Sequence, residues 1–344
     1  MPAAPRPVNT GIARLAPSAI RRIGSLAAAT PGCISLALGE PEFDTPDPVR
    51  AEAKAALDRG ETHYAPNAGT PGLRRAISAY MVDRGLAYAP DEVLVTLGAT
   101  EAISSALLAL LNPGDEVIIP VPAFVSYESV TRMNHAVPVR LDTAPCGFQI
   151  DEAALRALVT DATKAVVINS PNNPTGRLLS AASLDAVARV AAEFGLYVVS
   201  DDVYCRLVFD GGCERFAARH PELRAQTVVV ESFSKPWAMT GWRMGWIACA
   251  EPLMSQIAKA HQAAASSSVA FCMEAAERAL AIDPAPMLET YRRRRDRVVA
   301  ALDAMGLPVA RPQGAFYAFP SIAGTGMGDE EFCERAVSEA GVGL

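Results

Sequence analysis

Residues 231–246 read ESFSKPWAMTGWRMGW, which sets Lys235 among serines, aromatic and apolar residues, with Arg243 eight positions on. Removing water from a lysine's charge is costly. A lysine desolvated near other positive charge loses its proton more easily, becomes nucleophilic and can form Schiff bases with carbonyls. Arg243 and Ser232 add a guanidinium and a hydroxyl suited to phosphate oxygens. Gly98-Ala99-Thr100 opens a helical pattern, where a glycine lets a ligand approach the backbone and the first N–H groups favour a phosphate. Asp201 ends an apolar strand, where a carboxylate is costly unless paired with a positive group. Each residue also has a plainer reading: a surface lysine, a helix cap or ion pair for Asp201, a turn for Asn173 before its proline, core for Phe124 and Tyr127.

The elements that must position these residues alternate between strand and helix patterns. Asp91–Leu97 (DEVLVTL) reads as a strand, and the helix after it repeats Ile103, Ala106, Leu107, Leu110 and Leu111 before Asn-Pro-Gly stops it. EVIIP at 116–120 and KAVVIN at 164–169 read as buried strands, and PNNPTG as a loop. Ser180 is placed as an N-cap, with Leu184, Val187, Ala191 and Phe194 on one apolar face and Gly195 closing the helix. LYVVS, TVVVE and GWIAC supply three further strands. Unbroken apolar strands between amphipathic helices predict a mostly parallel sheet covered on both faces, an α/β three-layer αβα domain. Ligands in such sheets sit beyond the carboxyl ends of the strands. Four strand ends then converge: Gly98-Ala99-Thr100, Asn173, Asp201 with Tyr204, and Ser232 to Lys235. A lysine for an aldehyde, an acid for a ring nitrogen, an aromatic face and a phosphate cup together describe a site for pyridoxal 5′-phosphate.

The two ends of the chain have a different texture. Tyr291–Leu302 reads as a helix and GAFYAFP as an edge strand. The expected division is an N-terminal arm and part of a small domain over 1–45, a large cofactor-binding domain over 46–285, and the remainder of a small α+β domain over 286–344. Among 344 residues, 50% are hydrophobic and 20% charged, which supports a large core and excludes long disorder. The net charge of −7 argues against nucleic acid or an anionic membrane as partner. The arginines of YRRRRDRVV read as the solvated face of a helix. Seven cysteines without C-x-x-C spacing fit reduced thiols in a cytoplasmic protein, and nothing suggests a metal. The opening 22 residues hold no continuous apolar run of a signal peptide, and no apolar run is long enough to span a bilayer.

SLALGEPEFDTP, THYAPNAGTPGLRRAI, VTLGATEAI, INSPNNPTG, VVSDDVY, SFSKPWAMTGWRMGW and RPQGAFYAF occur in that order. With them the chain resembles the class I/II pyridoxal-phosphate-dependent aminotransferases of the aspartate aminotransferase fold (fold type I), from about Ser35 onward. The resemblance implies transfer of an amino group from an L-amino acid to a 2-oxo acid through a Lys235 internal aldimine. It implies that Lys235, Asp201 and Tyr204 are catalytic, with Asp201 on the ring nitrogen and Tyr204 and Asn173 on the ring's phenolic oxygen. Phe124 takes the stacking position, and Gly98, Ala99, Thr100, Ser232 and Arg243 the phosphate cup. Tyr64 matches a tyrosine that reaches the phosphate from a neighbouring subunit, which implies a homodimer with shared sites. Gly39 and Asn173 fall beside the substrate carboxylate. The family pattern continues beyond AGVGL with a V-P-G-x-x-F-G stretch and an arginine that clamps that carboxylate. No arginine here is assigned that role, so a cut-short chain with an incomplete small domain is expected. Two alternatives follow: a carbon–sulfur lyase on the same scaffold, or a truncated chain that binds cofactor without full activity.

Overall fold

The computed structural model describes residues 6–344; the first five residues of the expected N-terminal arm lie outside the described residues. Among the described residues nine strands form: β1 (Ile34–Ser35), β2 (Val93–Thr96), β3 (Glu116–Val121), β4 (Val137–Asp142), β5 (Thr163–Asn169), β6 (Tyr197–Asp201), β7 (Thr227–Ser232), β8 (Gly245–Ala248) and β9 (Val342–Gly343). Seven of them make one sheet in the order β2-β8-β7-β6-β5-β3-β4. Every neighbouring pair is parallel except those of β8, which runs antiparallel to β2 and β7.

Apolar runs form these strands because both faces of the sheet are covered. Successive side chains of a strand point to opposite faces, so Val93 and Val95 enter one core while Leu94 enters another. Along β8 and just past its end, Trp246 and Ala248 pack with the first core, and Ile247 and Cys249 with the second. In β5, Ala165 and Val167 join the second core, and Val166 and Ile168 a third on the opposite side. The result is the helix–sheet–helix sandwich of an α/β fold. Its helices end where local chemistry dictates. Ser180 accepts the Ser183 N–H at the start of the helix Ala181–Phe194, and Gly195 closes it at φ +67°. Leu184, Val187 and Ala191 are buried, but Phe194 lies on the surface with the Arg156 guanidinium 5.9 Å from its ring.

Three features depart from the sequence reading. GAFYAFP is not an edge strand: it makes only single bridges, Val208 with Gly314 and Val309 with Pro320. Ala315 holds φ +58°, which an extended strand cannot accommodate. The arginine run is not wholly solvated either. Arg295 joins Tyr291 and Val299 on the buried face of the helix Ala285–Ala304, bonding Asp210 at 3.2 Å and the Pro312 carbonyl at 3.0 Å. Strand β4 was not foreseen, because its proline and half-exposed pattern suit a sheet edge better than a buried strand. At the chain ends, β1 pairs parallel with β9, and Arg22 bonds Glu330 at 2.6 Å.

The described residues contain no helix long and apolar enough to cross a membrane. The seven cysteines are free thiols.

Inside the sheet region, Arg215 and Glu231 of β7 form a buried ion pair at 2.7 Å. Removing one partner of such a pair strands a charge out of water. Arg215→Leu is expected to lose about 3–5 kcal/mol of stability in urea unfolding, and Arg215→Leu with Glu231→Leu to regain most of it. A single variant with an unchanged midpoint would contradict this.

Candidate functional site

The carboxyl ends of β2, β5, β6 and β7 point to the same edge of the sheet, and the turn residues after them form one site. After β2 the chain turns at Gly98, φ +78°, into the helix Gly98–Leu110. A Cβ on Gly98 would lie 2.9 Å from Arg243 Nη2, so the guanidinium packs directly against the turn. Arg243 itself takes φ +54° and donates to the Thr240 carbonyl at 2.9 Å and the Leu97 carbonyl at 3.3 Å. Gly245 is required for the same closure, since a Cβ there would meet the Glu231 carbonyl oxygen and the Gly98 carbonyl carbon at 2.9 Å each. A bare helix start with a fixed guanidinium beside it is a cradle for an anion. Ser232, at the end of β7, accepts the Ser234 N–H at 3.0 Å and lies 3.1 Å from the Met244 carbonyl, so its hydroxyl engages the lysine loop itself.

Lys235 stands at the centre. Its Nζ donates to the Gly39 carbonyl at 2.6 Å. Burial pushes its pKa down to about 8, against the opposing pull of Glu40, with Arg243 lowering it further and Asp201 raising it. Asp201 is fully enclosed, and burial raises its pKa to about 6. The Tyr127 hydroxyl, donating to Asp201 Oδ2 at 2.6 Å, and the Val203 N–H at 3.3 Å partly offset that rise. Tyr127 was read as core and is buried, yet its hydroxyl is an acid's partner. Phe124 packs edge-on against it, ring centroids 5.7 Å apart.

Asn173 follows β5, held by its N–H to Asn169 Oδ1 at 2.7 Å, while Asn169 Nδ2 donates to the Asp201 carbonyl at 2.8 Å. Asn173 Nδ2 donates to Tyr317 Oη at 3.3 Å, and Tyr204 and Tyr317 hydroxyls are 2.7 Å apart. Gly39 closes over this group, since a Cβ there would collide with the Tyr317 hydroxyl. Tyr317 was missed because it falls in the segment misread as a strand. Nothing in the sequence marks Tyr127 or Tyr317 as polar rather than packing residues, since an aromatic run carries both readings. Ala99 and Thr100 continue the Gly98 turn. Tyr64 is the exception to the convergence: it is 94% exposed, on the wall of an open cleft of about 480 Å³ shared with His63, Leu97 and Phe271.

A part-buried lysine of lowered pKa, a buried acid and an arginine-backed glycine turn thus gather at the parallel strand ends, an arrangement with the groups that lysine–carbonyl chemistry needs. The chain belongs to the family described as aminotransferase class I and II, which it matches over residues 31–343. It is 39% identical to an aspartate aminotransferase of Pyrococcus abyssi, over 95% of this chain and 86% of that one. It is 38% identical to aromatic-amino-acid aminotransferase 2 of Thermococcus litoralis, again over 95% and 86%. Among solved structures it is similar to the aspartate aminotransferase of Thermus thermophilus with maleate, at TM-score 0.92 and 34% identity, covering 98% of this chain and 91% of that one. The fold is that of aspartate aminotransferase, and the chain is a pyridoxal-phosphate-dependent aminotransferase. These matches do not favour carbon–sulfur cleavage, and they lend no support to the expectation of a cut-short chain.

With Lys235 largely desolvated, its free amine is expected to react in a pH range where other lysines are protonated. In protein freed of bound carbonyl compounds, trace acylation of Lys235 is expected to reach half its limiting rate near pH 8. A midpoint near the ~10.4 of an ordinary lysine would contradict the effect of burial.

Proposed function

We propose that the residues gathered at this edge hold pyridoxal phosphate and move the proton of the transfer reaction. The observation that carries the reading is a lysine of lowered pKa that feels both the buried Asp201 carboxyl and the Arg243 guanidinium packed against the Gly98 turn. The donor set fits the cofactor part by part. The Gly98-Ala99-Thr100 turn, Arg243 and Ser232 would hold the phosphate. Asp201 would face the ring nitrogen, Tyr204 and Asn173 the ring oxygen, Phe124 the ring face, and Lys235 the aldehyde carbon. Bound there, the cofactor supplies a carbonyl for amines and a ring that draws electrons from the amino acid's α-carbon.

The chain's own residues then have distinct tasks. Asp201, sealed from water, keeps a proton on its partner nitrogen by remaining the anion of that pair, and Tyr127 fixes the orientation of its carboxylate. Lys235 Nζ would take the proton from the α-carbon of the substrate and deliver it to the carbon that was the cofactor's aldehyde carbon, work suited to an amine whose pKa lies near the operating pH. Gly39 and Asn173 border the space for the substrate carboxylate. An L-amino acid and a 2-oxo acid are the substrates; aspartate and aromatic amino acids are the first to test, since relatives are named for both.

The protein acts in the cytoplasm, with its free thiols as support. It is a homodimer in which Tyr64, exposed in one protomer, completes the phosphate cup of the partner. The division into a large domain over 46–285 and a small domain from 1–45 and 286–344 is supported by the pairing of β1 with β9.

Adding pyridoxal phosphate to the protein is expected to produce a visible absorption band that Lys235→Ala abolishes. An amino acid should discharge the band and a 2-oxo acid restore it. A band independent of Lys235 would sink the assignment. Asp201→Asn is expected to keep the band and lower the transfer rate about 10²–10³-fold in single-turnover measurements. Shared sites predict that Tyr64→Ala and Lys235→Ala protomers, co-expressed, recover one working site per mixed dimer; activity no higher than the two parents would rule sharing out.

A further inference from the structure

Tyr317 has no part in the site assignment above, yet it sits where two of the loops in that assignment meet. The turn that carries it is fastened to both. Gln313 and Gly314 N–H groups donate to the Gly176 carbonyl at 2.8 and 3.0 Å, and Gln313 Oε1 accepts the Leu178 N–H at 3.1 Å, tying the turn to the loop of Asn173. The Ala315 N–H donates to the Leu207 carbonyl at 2.7 Å, and the Phe209 N–H to the Gln313 carbonyl at 2.9 Å, tying it to the segment after Tyr204. A Cβ on Gly314 would press into the Leu207 carbonyl and Pro171, so the turn lies flush against both. The turn that leads to the phenol is therefore held by backbone on two sides, which helps to fix where its hydroxyl lies.

A tyrosine hydroxyl has one proton and two lone pairs. The Tyr204 and Tyr317 oxygens, 2.7 Å apart, are at the best distance for an O–H···O bond, and either can donate. If Tyr204 donates to Tyr317, its proton is used and it offers only lone pairs elsewhere. Two oxygens then face each other without a proton whenever an oxygen ligand approaches. If Tyr317 donates, the Tyr204 proton is free. An anionic oxygen beside Tyr204 selects the second arrangement, and in a chain of hydrogen bonds each strengthens the next. Asn173 Nδ2, 3.3 Å from Tyr317 Oη, places the amide on the same oxygen cluster.

We propose that Tyr317 is a positioning residue for amino-group transfer: its hydroxyl donates to Tyr204 Oη and thereby turns the Tyr204 proton toward the ring oxygen of the cofactor. This rests on the reading that Tyr204 and Asn173 face that oxygen. Tyr317 does not touch the reacting atoms and acts through Tyr204. The other ionisable groups facing this cluster are Asp201 from β6, with Tyr127 from the helix Ser126–Met133. Glu40 and Arg243 face Lys235 from the N-terminal segment and the lysine loop.

The test is a pH titration of the lysine-dependent visible band in the full chain with pyridoxal phosphate. A donor to the ring oxygen favours the form in which the lysine-linked nitrogen has lost its proton, so weakening that donor raises the midpoint. Tyr317→Phe removes one oxygen and keeps the ring, leaving the packing against Phe316 and Tyr204 in place. It is expected to keep the band and raise its midpoint by about half a pH unit, a few-fold change in the proton equilibrium. In a Tyr204→Phe background the same substitution is expected to add nothing. An unchanged midpoint in Tyr317→Phe, or an equal shift in both backgrounds, would overturn the proposal. Absence of any lysine-dependent band in the unsubstituted protein would instead overturn the functional reading beneath it.

Discussion

A lysine amine held out of water is the constraint around which this molecule is organised. Desolvation disfavours charge on Lys235 and on Asp201 alike, pushing one pKa down and the other up, each toward neutrality at intermediate pH. Left alone, either group would be a liability. The surroundings partly reverse both shifts: the Glu40 and Asp201 charges for the lysine, whose amine also donates to the Gly39 carbonyl, and the Tyr127 hydroxyl and the Val203 N–H for the acid. Those partners come from three different stretches of chain. Only a sheet whose strand ends open to one edge can gather them, which ties the parallel topology to the site.

The antiparallel strand β8 has a particular place in this arrangement. Inserted between β2 and β7, it brings the segment after the lysine back beside the start of the helix Gly98–Leu110. Gly245 and Gly98 leave no side chain between the layers, and Arg243 fills the space at the helix start. A chain of net charge −7 thus carries a local concentration of positive potential: a guanidinium, free helix N–H groups and a lysine. That contrast suits an anionic ligand that must be drawn to one spot. Nearby, the pair of Arg215 and Glu231 keeps β7 charge-balanced on its covered side, one residue before Ser232.

Most of the sheet was legible because period and composition are local signals. β3, β5, β6 and β7 were each read within a residue or two, as were the Ser180 cap and Gly195 stop. The failures share a physical origin. The segment Gly314–Phe319 has strand composition, but its course is set by contacts with Leu207, Pro171 and Gly176, far away in sequence. Arg295 looks solvated in a run of arginines and is buried because the helix turns it toward Asp210 and Pro312. Tyr127 reads as packing and Tyr317 goes unmarked because an aromatic ring gives no local sign of whether its hydroxyl has a distant partner.

The sequence by itself determined the class of fold, the family and most of the groups that could do the chemistry: Lys235, Asp201, Asn173, Tyr204, Arg243 and the Gly98 turn. These are properties of residue type, order and short spacing, which a linear chain displays directly. The tertiary structure alone decided how strongly each group is perturbed and by whom. Burial, the Tyr127 bond to Asp201, the Gly39 carbonyl on Lys235 and the contact of Tyr204 with Tyr317 all join residues separated by 74 to 196 positions. Desolvation and hydrogen-bond geometry depend on distance in space, and no local pattern in the chain encodes it.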